Sequence, residues 1–302
     1  MTSREGEAGT GSGHVPVLCR EVVDWLAPER GMSLVDCTLG GGGHAQALLA
    51  AVGGELDYLG IDRDREALAR AGRRLAPFAG RVRFFHSPFS RVRQVVEEAG
   101  LTRVDRVLMD LGLSSFALDD PDRGFGFMAP GRLDMRMDRS EGEDAAALLA
   151  RISQEELTRI LADYGEERHA RAVAWAIVQA RRRTPIETTT GLAEIVARAV
   201  PRSPRHRIHP ATRTFQALRI AVNRELDQLR EGLEAVAAVL GPAGRVAVIS
   251  FHSLEDRVVK RFFKERFHPL TRKVVRPSPE EVGRNRRARS ARLRVAVAGE
   301  EA

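Results

Sequence analysis

Cysteine is nearly absent. Cys19 and Cys37 are the only two in 302 residues, too few for a disulfide framework, and a reducing, cytoplasmic setting is the expectation. No stretch approaches the run of about 20 apolar residues that a membrane-spanning helix needs. The first thirteen residues, MTSREGEAGTGSG, carry acids and glycines but no apolar core. They read as a disordered tail and not as a secretion signal. The four glycines at 40–43 are not followed by Lys-Ser or Lys-Thr, which excludes a P-loop. His206 and His209 have no cysteine or acid beside them, and no metal site is expected.

What is present is a soluble globular composition, 43% apolar and 29% charged, long enough for one large domain or two smaller ones. The net charge of +7 is localised. Between Thr271 and Arg294 nine Lys/Arg face only Glu280 and Glu281, so one segment accounts for all of it. Such a patch suits phosphates, with a solvated tail as the alternative. The expected nucleic-acid contacts are Arg284, Arg286, Arg287 and Arg289 there, and Arg202, Arg205, Arg207 and Arg213 in the acid-free stretch PRSPRHRIHPATR. Arg181–Arg183 add a third basic cluster. Cutting the chain after His268 is then expected to change the salt dependence of activity.

The first third alternates apolar strands with helical stretches. SLVDC (33–37), DYLGID (57–62), VRFFH (82–86) and VDRVLMD (104–110) read as strands, separated by helices near 45–52, 64–75 and 90–100. This pattern predicts an α/β fold on a mostly parallel sheet, with ligands beyond the strands' carboxyl ends. Asp36, Asp62 and Asp110 all fall at those ends. Residues 116–140 are irregular, and 143–200 read as purely helical, with a capping box at Ser153–Glu156. One long helix is expected from about Pro210 to Leu240, before GPAGRVAVISF returns to strand. Trp175, Ile177 and Val178 read as helix core.

The loop GGGGHA (40–45) matches G-x-G-x-x-A, and Asp62 follows Gly40 by 22 residues, placed to bind ribose hydroxyls. That spacing fits NAD or any other adenosine-bearing cofactor, and a NAD(P)-dependent oxidoreductase stays open. Asp36, four residues before Gly40, would repel a pyrophosphate, and the loop holds no Lys or Arg. S-adenosylmethionine (SAM) has no phosphate and carries a sulfonium and an ammonium, so electrostatics favour it. Asp62 has a second reading, as the cap of the next helix.

Methyl transfer needs the nucleophile held in line, and an acceptor on an amine N–H would help to hold it. Asp110 is placed for that role or for holding the cofactor; an Asx turn is its structural alternative. In VISFHSLEDR, Phe251 is a candidate to stack on an extruded base, with His252 and Ser253 to position it. The alternative makes Ser253 and Asp256 a capping pair and Phe251 core.

Taken together, HVPVL (14–18), DCTLGGGGHA (36–45), GIDRD (60–64), DLGLSS (110–115), RGFGFM (123–128), GRLDMRMD (131–138), TRTFQALRIAVNREL (212–226) and ISFHSLEDR (249–257) resemble the bacterial RsmH family, also called MraW. The resemblance implies a class I SAM-dependent methyltransferase domain, Rossmann-like, interrupted by an all-helical domain. The discontinuous domain would comprise 14–115 and 216–302, and the insert 116–215 would recognise rRNA. The implied activity is N4-methylation of cytosine 1402 (rRNA numbering) in 16S rRNA of the small-subunit decoding centre. Carried over, the cofactor contacts are Gly42, Gly43, His44, Asp62, Phe89 and Asp110. Ala117 stands where the family often has glutamine, leaving only its backbone to contribute. A non-catalytic RNA-binding protein on the same fold is a third reading.

Overall fold

The computed structural model describes residues 16–113, 115–201 and 209–299. The tail at 1–13 and the candidate contacts Arg202, Arg205 and Arg207 lie outside them. Along the chain come α1 (Cys19–Leu26), β1 (Ser33–Asp36), α2 (Gly43–Ala51), β2 (Asp57–Asp62), α3 (Arg65–Arg74), β3 (Val82–His86), α4 (Val92–Glu98) and β4 (Val104–Asp110). After them run α5 (Ser115–Asp119), α6 (Ala145–Arg151), α7 (Gln154–Gly165), α8 (Ala170–Arg181), α9 (Thr189–Ala199), α10 (Ala211–Asn223) and α11 (Glu225–Val239). The chain closes with β5 (Leu240–Ser250), α12 (Ser253–Arg266), β6 (His268–Pro269), α13 (Pro279–Arg284) and β7 (Arg292–Val297).

The sheet order is β3-β2-β1-β4-β5-β7-β6. The first five strands are parallel, and β7 runs antiparallel to both β5 and β6. Strand order reverses between β1 and β4, where Asp36 pairs with Leu108, so the crevice that binds ligands in such sheets opens there. Alternate strand residues feed two cores, as the period of a β-strand requires. Val35, Leu59, Val107 and Val248 meet α4, α11 and α12 on one face. Leu34, Tyr58, Leu108 and Ile249 meet α1 and α2 on the other. Coverage of both faces explains why these parallel strands are almost continuously apolar.

A third core is built by helices together with Phe125, Leu133 and Met135 of the irregular segment, without any strand among the described residues. Leu149, Leu161, Val173, Ile177, Leu192 and Phe215 come from α6 to α10. Ser153 caps α7, accepting from the Glu156 N–H, as its capping-box spacing indicates. Trp175 departs from the expected core and is 56% exposed, while Ile177 and Val178 are buried. Two residues of helix place Trp175 and Ile177 about 200° apart, on opposite faces.

The long helix expected over 210–240 is two helices. Arg224 adopts φ 50° and breaks the run between α10 and α11. The break is stabilised from outside the helices. The Asn223 amide donates to the Met135 carbonyl (2.7 Å) and accepts from the Met137 N–H (2.8 Å), while Arg219 pairs bidentately with Glu225 (2.8 Å for each bond). The irregular segment 116–140 is thereby tied to the α10–α11 junction. The expected boundary at 215/216 falls inside α10, whose Phe215, Ala217 and Leu218 all belong to the helical core.

The basic C-terminal segment is not merely a solvated extension. Its end is β7, which pairs with β5 from Arg245↔Val297 to Ser250↔Arg292 and buries Leu293, Val295 and Ala296. Arg294 is held by Asp256 (2.7 and 3.2 Å).

Candidate active site

A cleft opens over the carboxyl ends of β1, β2 and β4. The glycine loop lines one side and Asp110, Gly112 and Phe251 the other. Asp62 anchors the loop. Its Oδ2 accepts from the Gly40 N–H (2.8 Å) and its Oδ1 from the Asp64 N–H (2.8 Å), while burial raises its pKa. Asp64, not Asp62, caps α3 by accepting from the Glu66 N–H. Each Asp62 oxygen retains acceptor capacity toward the cleft it lines.

Two expected cofactor contacts do not reach the cleft. Asp36 is 1% exposed beneath the loop, accepting from the Tyr58 hydroxyl (3.0 Å) and the Thr38 N–H (3.1 Å). Burial pushes its pKa up to about 7. Its carboxylate stiffens the strand end from below and does not meet a ligand's charge directly. Gly42 has φ +76°, and a Cβ there would press at 3.3 Å on Ala71 and Leu75, so its side-chain face packs on α3. Gly40, Gly41 and Gly43 are the loop glycines that line the cleft. The base-free loop is also not a base-free site, since folding brings Arg63, Arg74, Arg123 and Arg287 to the lining.

His44 and Asp110 meet at the switch point. His44 is buried, with Nε2 2.9 Å from the Val17 carbonyl and Nδ1 3.6 Å from Asp110 Oδ2. The Asp110 N–H donates to Thr38 Oγ1 (2.6 Å), whereas its Oδ1 is buried without a hydrogen-bond partner among the described residues. No Asx turn uses that oxygen. Burial, reinforced by the charges of Asp36 and Glu255, pushes the Asp110 carboxyl up to about 8. An unsatisfied carboxyl in a cleft is costly unless a ligand completes it.

Phe251 lines the cleft against Gly112, where a Cβ would lie 3.4 Å from its ring. His252 and Ser253 do not line it. His252 is the N-cap of α12, forming a reciprocal capping box with Glu255; the expected Ser253–Asp256 pair is displaced by one residue. Ser253 turns to the helical insert and donates to Glu166 Oε2 (2.9 Å). Base positioning by these two side chains is not what the geometry offers. Glu255 takes the place in the lining, its Oε2 accepting from the Phe251 N–H (2.8 Å). Burial opposes its ionisation, but His252 and Arg219 outweigh this and hold the carboxyl below its usual range. Glu225 and Gln228, on α11, also line the cleft. These residues escaped sequence reasoning because nothing local marks the start of a helix as part of a distant pocket. Glu225, His252 and Glu255 place one donor atom each within 4.8 Å of one another. Both Glu225 oxygens are already held by Arg219, however, and His252 and Glu255 cap α12.

Phe89 lines the cleft, its ring packed on α11 at Gly232, where a Cβ would lie 2.6 Å away. Ala117 is buried at the cleft wall; beside it Phe116 approaches Gly41 and stacks under the Arg70 guanidinium at 4.7 Å. Of the described basic candidates, Arg287 lines the cleft and pairs with Asp119. Arg284, Arg286 and Arg289 are exposed, and Arg213 donates to the Glu166 carbonyl at 2.9 Å.

A parallel sheet with a reversed strand beside β5, a glycine loop after β1 and acids ending β2 and β4 define a Rossmann-like, class I methyltransferase fold, here interrupted by helices between β4 and β5. The chain belongs to the MraW methylase family, whose model matches residues 11–298. It is 49% identical over 306 residues to a protein of Solidesulfovibrio magneticus named ribosomal RNA small subunit methyltransferase H, covering 94% of each chain. A protein of the same name from Trichlorobacter lovleyi is 47% identical, covering 94% of this chain and 97% of that one. Among the described residues no helix is long and apolar enough to cross a membrane.

Proposed function

We propose that this protein uses SAM to methylate N4 of cytosine 1402 (rRNA numbering) in 16S rRNA, within the small ribosomal subunit in the cytoplasm. The carrying observation is that Asp110, whose Oδ1 is buried without a hydrogen-bond partner among the described residues, lines one cleft with the glycine loop and Phe251. Asp62 and Phe89 suit the adenosine half of the cofactor, Gly43 and His44 its methionine half. SAM supplies an electrophilic methyl on a sulfonium and needs no acid to release the thioether. The protein's task is to hold the base, with Phe251 against its face, and to hold the amine through Asp110. The helical insert and the exposed arginines of 284–289 suit contact with rRNA phosphates and positioning of the RNA. A carboxylate acceptor is a characteristic partner of the cytosine N4 amine.

Mass spectrometry of 16S rRNA from cells lacking the gene tests the reading. Loss of one methyl at the decoding-centre cytidine, restored by the purified protein and SAM, is expected; an unaltered cytidine refutes the substrate. Separate titrations distinguish the cofactors, and tight NAD binding without SAM binding would move the protein to the oxidoreductases. Asp62→Ala is expected to weaken SAM binding by about 1–3 kcal/mol, through loss of charge-assisted bonds to the ribose and of the Gly40 tether. Calorimetry showing unchanged affinity would remove Asp62 from the binding set.

A further inference from the structure

The outer face of α8 carries chemistry that the cleft does not use. From Arg168 to Ile186 the chain holds five arginines and no Asp or Glu. Trp175 stands in the middle of this stretch and is 56% exposed. Helical rotation puts Arg171, one turn earlier, and Arg182, two turns later, within about 40° of it. Arg182 keeps helical angles at the C-cap (φ −65°, ψ −23°), so the stripe is continuous. Arg168, Arg171, Arg182 and Arg183 are all exposed, and none has a carboxylate within ion-pair distance among the described residues. Other exposed arginines of the insert pair with acids, Arg132 with Asp144, Arg151 with Glu143 and Arg198 with Glu194. The two acids just before the stretch are occupied as well. Glu167 is buried and accepts from the His169 N–H, and Glu166 is engaged by Ser253 and Arg257.

We propose that this face of α8 is a platform for single-stranded RNA: an unpaired base stacks on Trp175 while Arg171 and Arg182 hold the phosphates on either side of it. The inference deepens the rRNA reading and rests on it. A lone exposed apolar side chain would carry no such message. A tryptophan between unpaired cations does, because its ring accepts the face of any base and the guanidinium groups follow the backbone. Charge decides the class of partner. An acid-free face with four unpaired arginines complements a chain bearing a phosphate at every nucleotide. The platform is also separate from the chemistry. No residue of α6 to α9 lines the cleft, and α8 packs on α6, α7 and α9 while α10 makes the junction to α11. It therefore grips RNA away from the target base and contributes to substrate affinity, leaving the rate of methyl transfer to the cleft.

The chain has two tryptophans, and Trp25 is partly buried against the sheet core, so Trp25→Phe leaves Trp175 as the sole indole fluorophore. Titrating that variant with a mixed-sequence, single-stranded RNA of twelve nucleotides is expected to quench its emission, whereas inorganic polyphosphate is not. Trp175→Ala is expected to weaken binding of the same RNA by about five- to a hundredfold, and Trp175→Phe to recover most of it. The double variant Arg171→Gln, Arg182→Gln should lower the salt slope of binding by about 1.4, two contacts at about 0.7 each. In methyl transfer Trp175→Ala should raise KM for the RNA substrate with kcat and SAM affinity unchanged. Absence of quenching by RNA, or an RNA affinity unmoved by Trp175→Ala, overturns the proposal. A rise in KM confined to assembled subunits, with binding of free RNA unchanged, also overturns it and assigns the face to a protein of the subunit. If the wild-type protein transfers no methyl group to rRNA, the functional reading falls, while the quenching titration still decides the platform.

Discussion

A chain ending at His268 is expected not to fold. The cut removes β7, and with it the pairing to β5 from Arg245 to Ser250. It also takes Leu293 and Val295, both fully buried, from the core shared with α1 and α2. Each such side chain contributes about 1.5–3 kcal/mol. With the lost ladder this reaches a large share of the roughly 5–15 kcal/mol that stabilises a typical native protein. The cut would also expose Ala247 and Ile249 and leave β5 as a long apolar edge, prone to aggregate. Circular dichroism and a thermal melt check this; a soluble truncated protein with a cooperative transition would contradict it. Deleting the segment therefore cannot measure its phosphate contacts. Reversing Arg284, Arg286 and Arg289 together can, because all three are exposed and outside the sheet. Each neutralised phosphate contact contributes about one unit to the salt slope of RNA binding.

Asp110→Asn is expected to lower the rate of methyl transfer by about 10²–10⁴-fold above pH 8, where the carboxyl is ionised, the range for loss of a positioned proton acceptor. Stability should move the other way. The Asp110 carboxyl is raised from 3.8 to about 8 in the fold, chiefly by burial. Between those values the unfolded chain is ionised at this site and the folded one protonated, so folding takes up a proton. The stabilising contribution is fully present below the unfolded value and is lost as pH rises through the folded one. Asparagine does not titrate. The variant's melting temperature should therefore gain on the wild type as pH is raised from 4 to 8. A variant that keeps its rate, or loses stability equally at every pH, would take Asp110 out of both roles.

The four N-terminal strands were legible because each is a short apolar run closed by a turn signal, and the acids ending β2 and β4 marked the rim of the cleft. Corrections arise where distant partners decide. Arg224 breaks a helix with neither glycine nor proline, because Asn223 is bonded to Met135 and Met137, about ninety positions earlier. Asp36 and Asp62 look alike in sequence, each an acid ending a strand. Tyr58 closes over Asp36, whereas the Asp62 carboxyl braces the Gly40 N–H and lines the cleft. His252 and Ser253 occupy the right loop but face a helix cap and Glu166.

By itself the sequence determined the α/β class, the glycine loop, the acids ending β1, β2 and β4 and the family, since each rests on residues close together or on motifs in order. Only the tertiary structure decided which of those acids line the cleft, that the basic terminus supplies a sheet strand, and that Glu225 and Glu255 lie in the same lining. The physical reason is common to all three. Burial and hydrogen-bond partnership belong to groups far apart along the chain, and they acquire values only when the sheet brings those groups together.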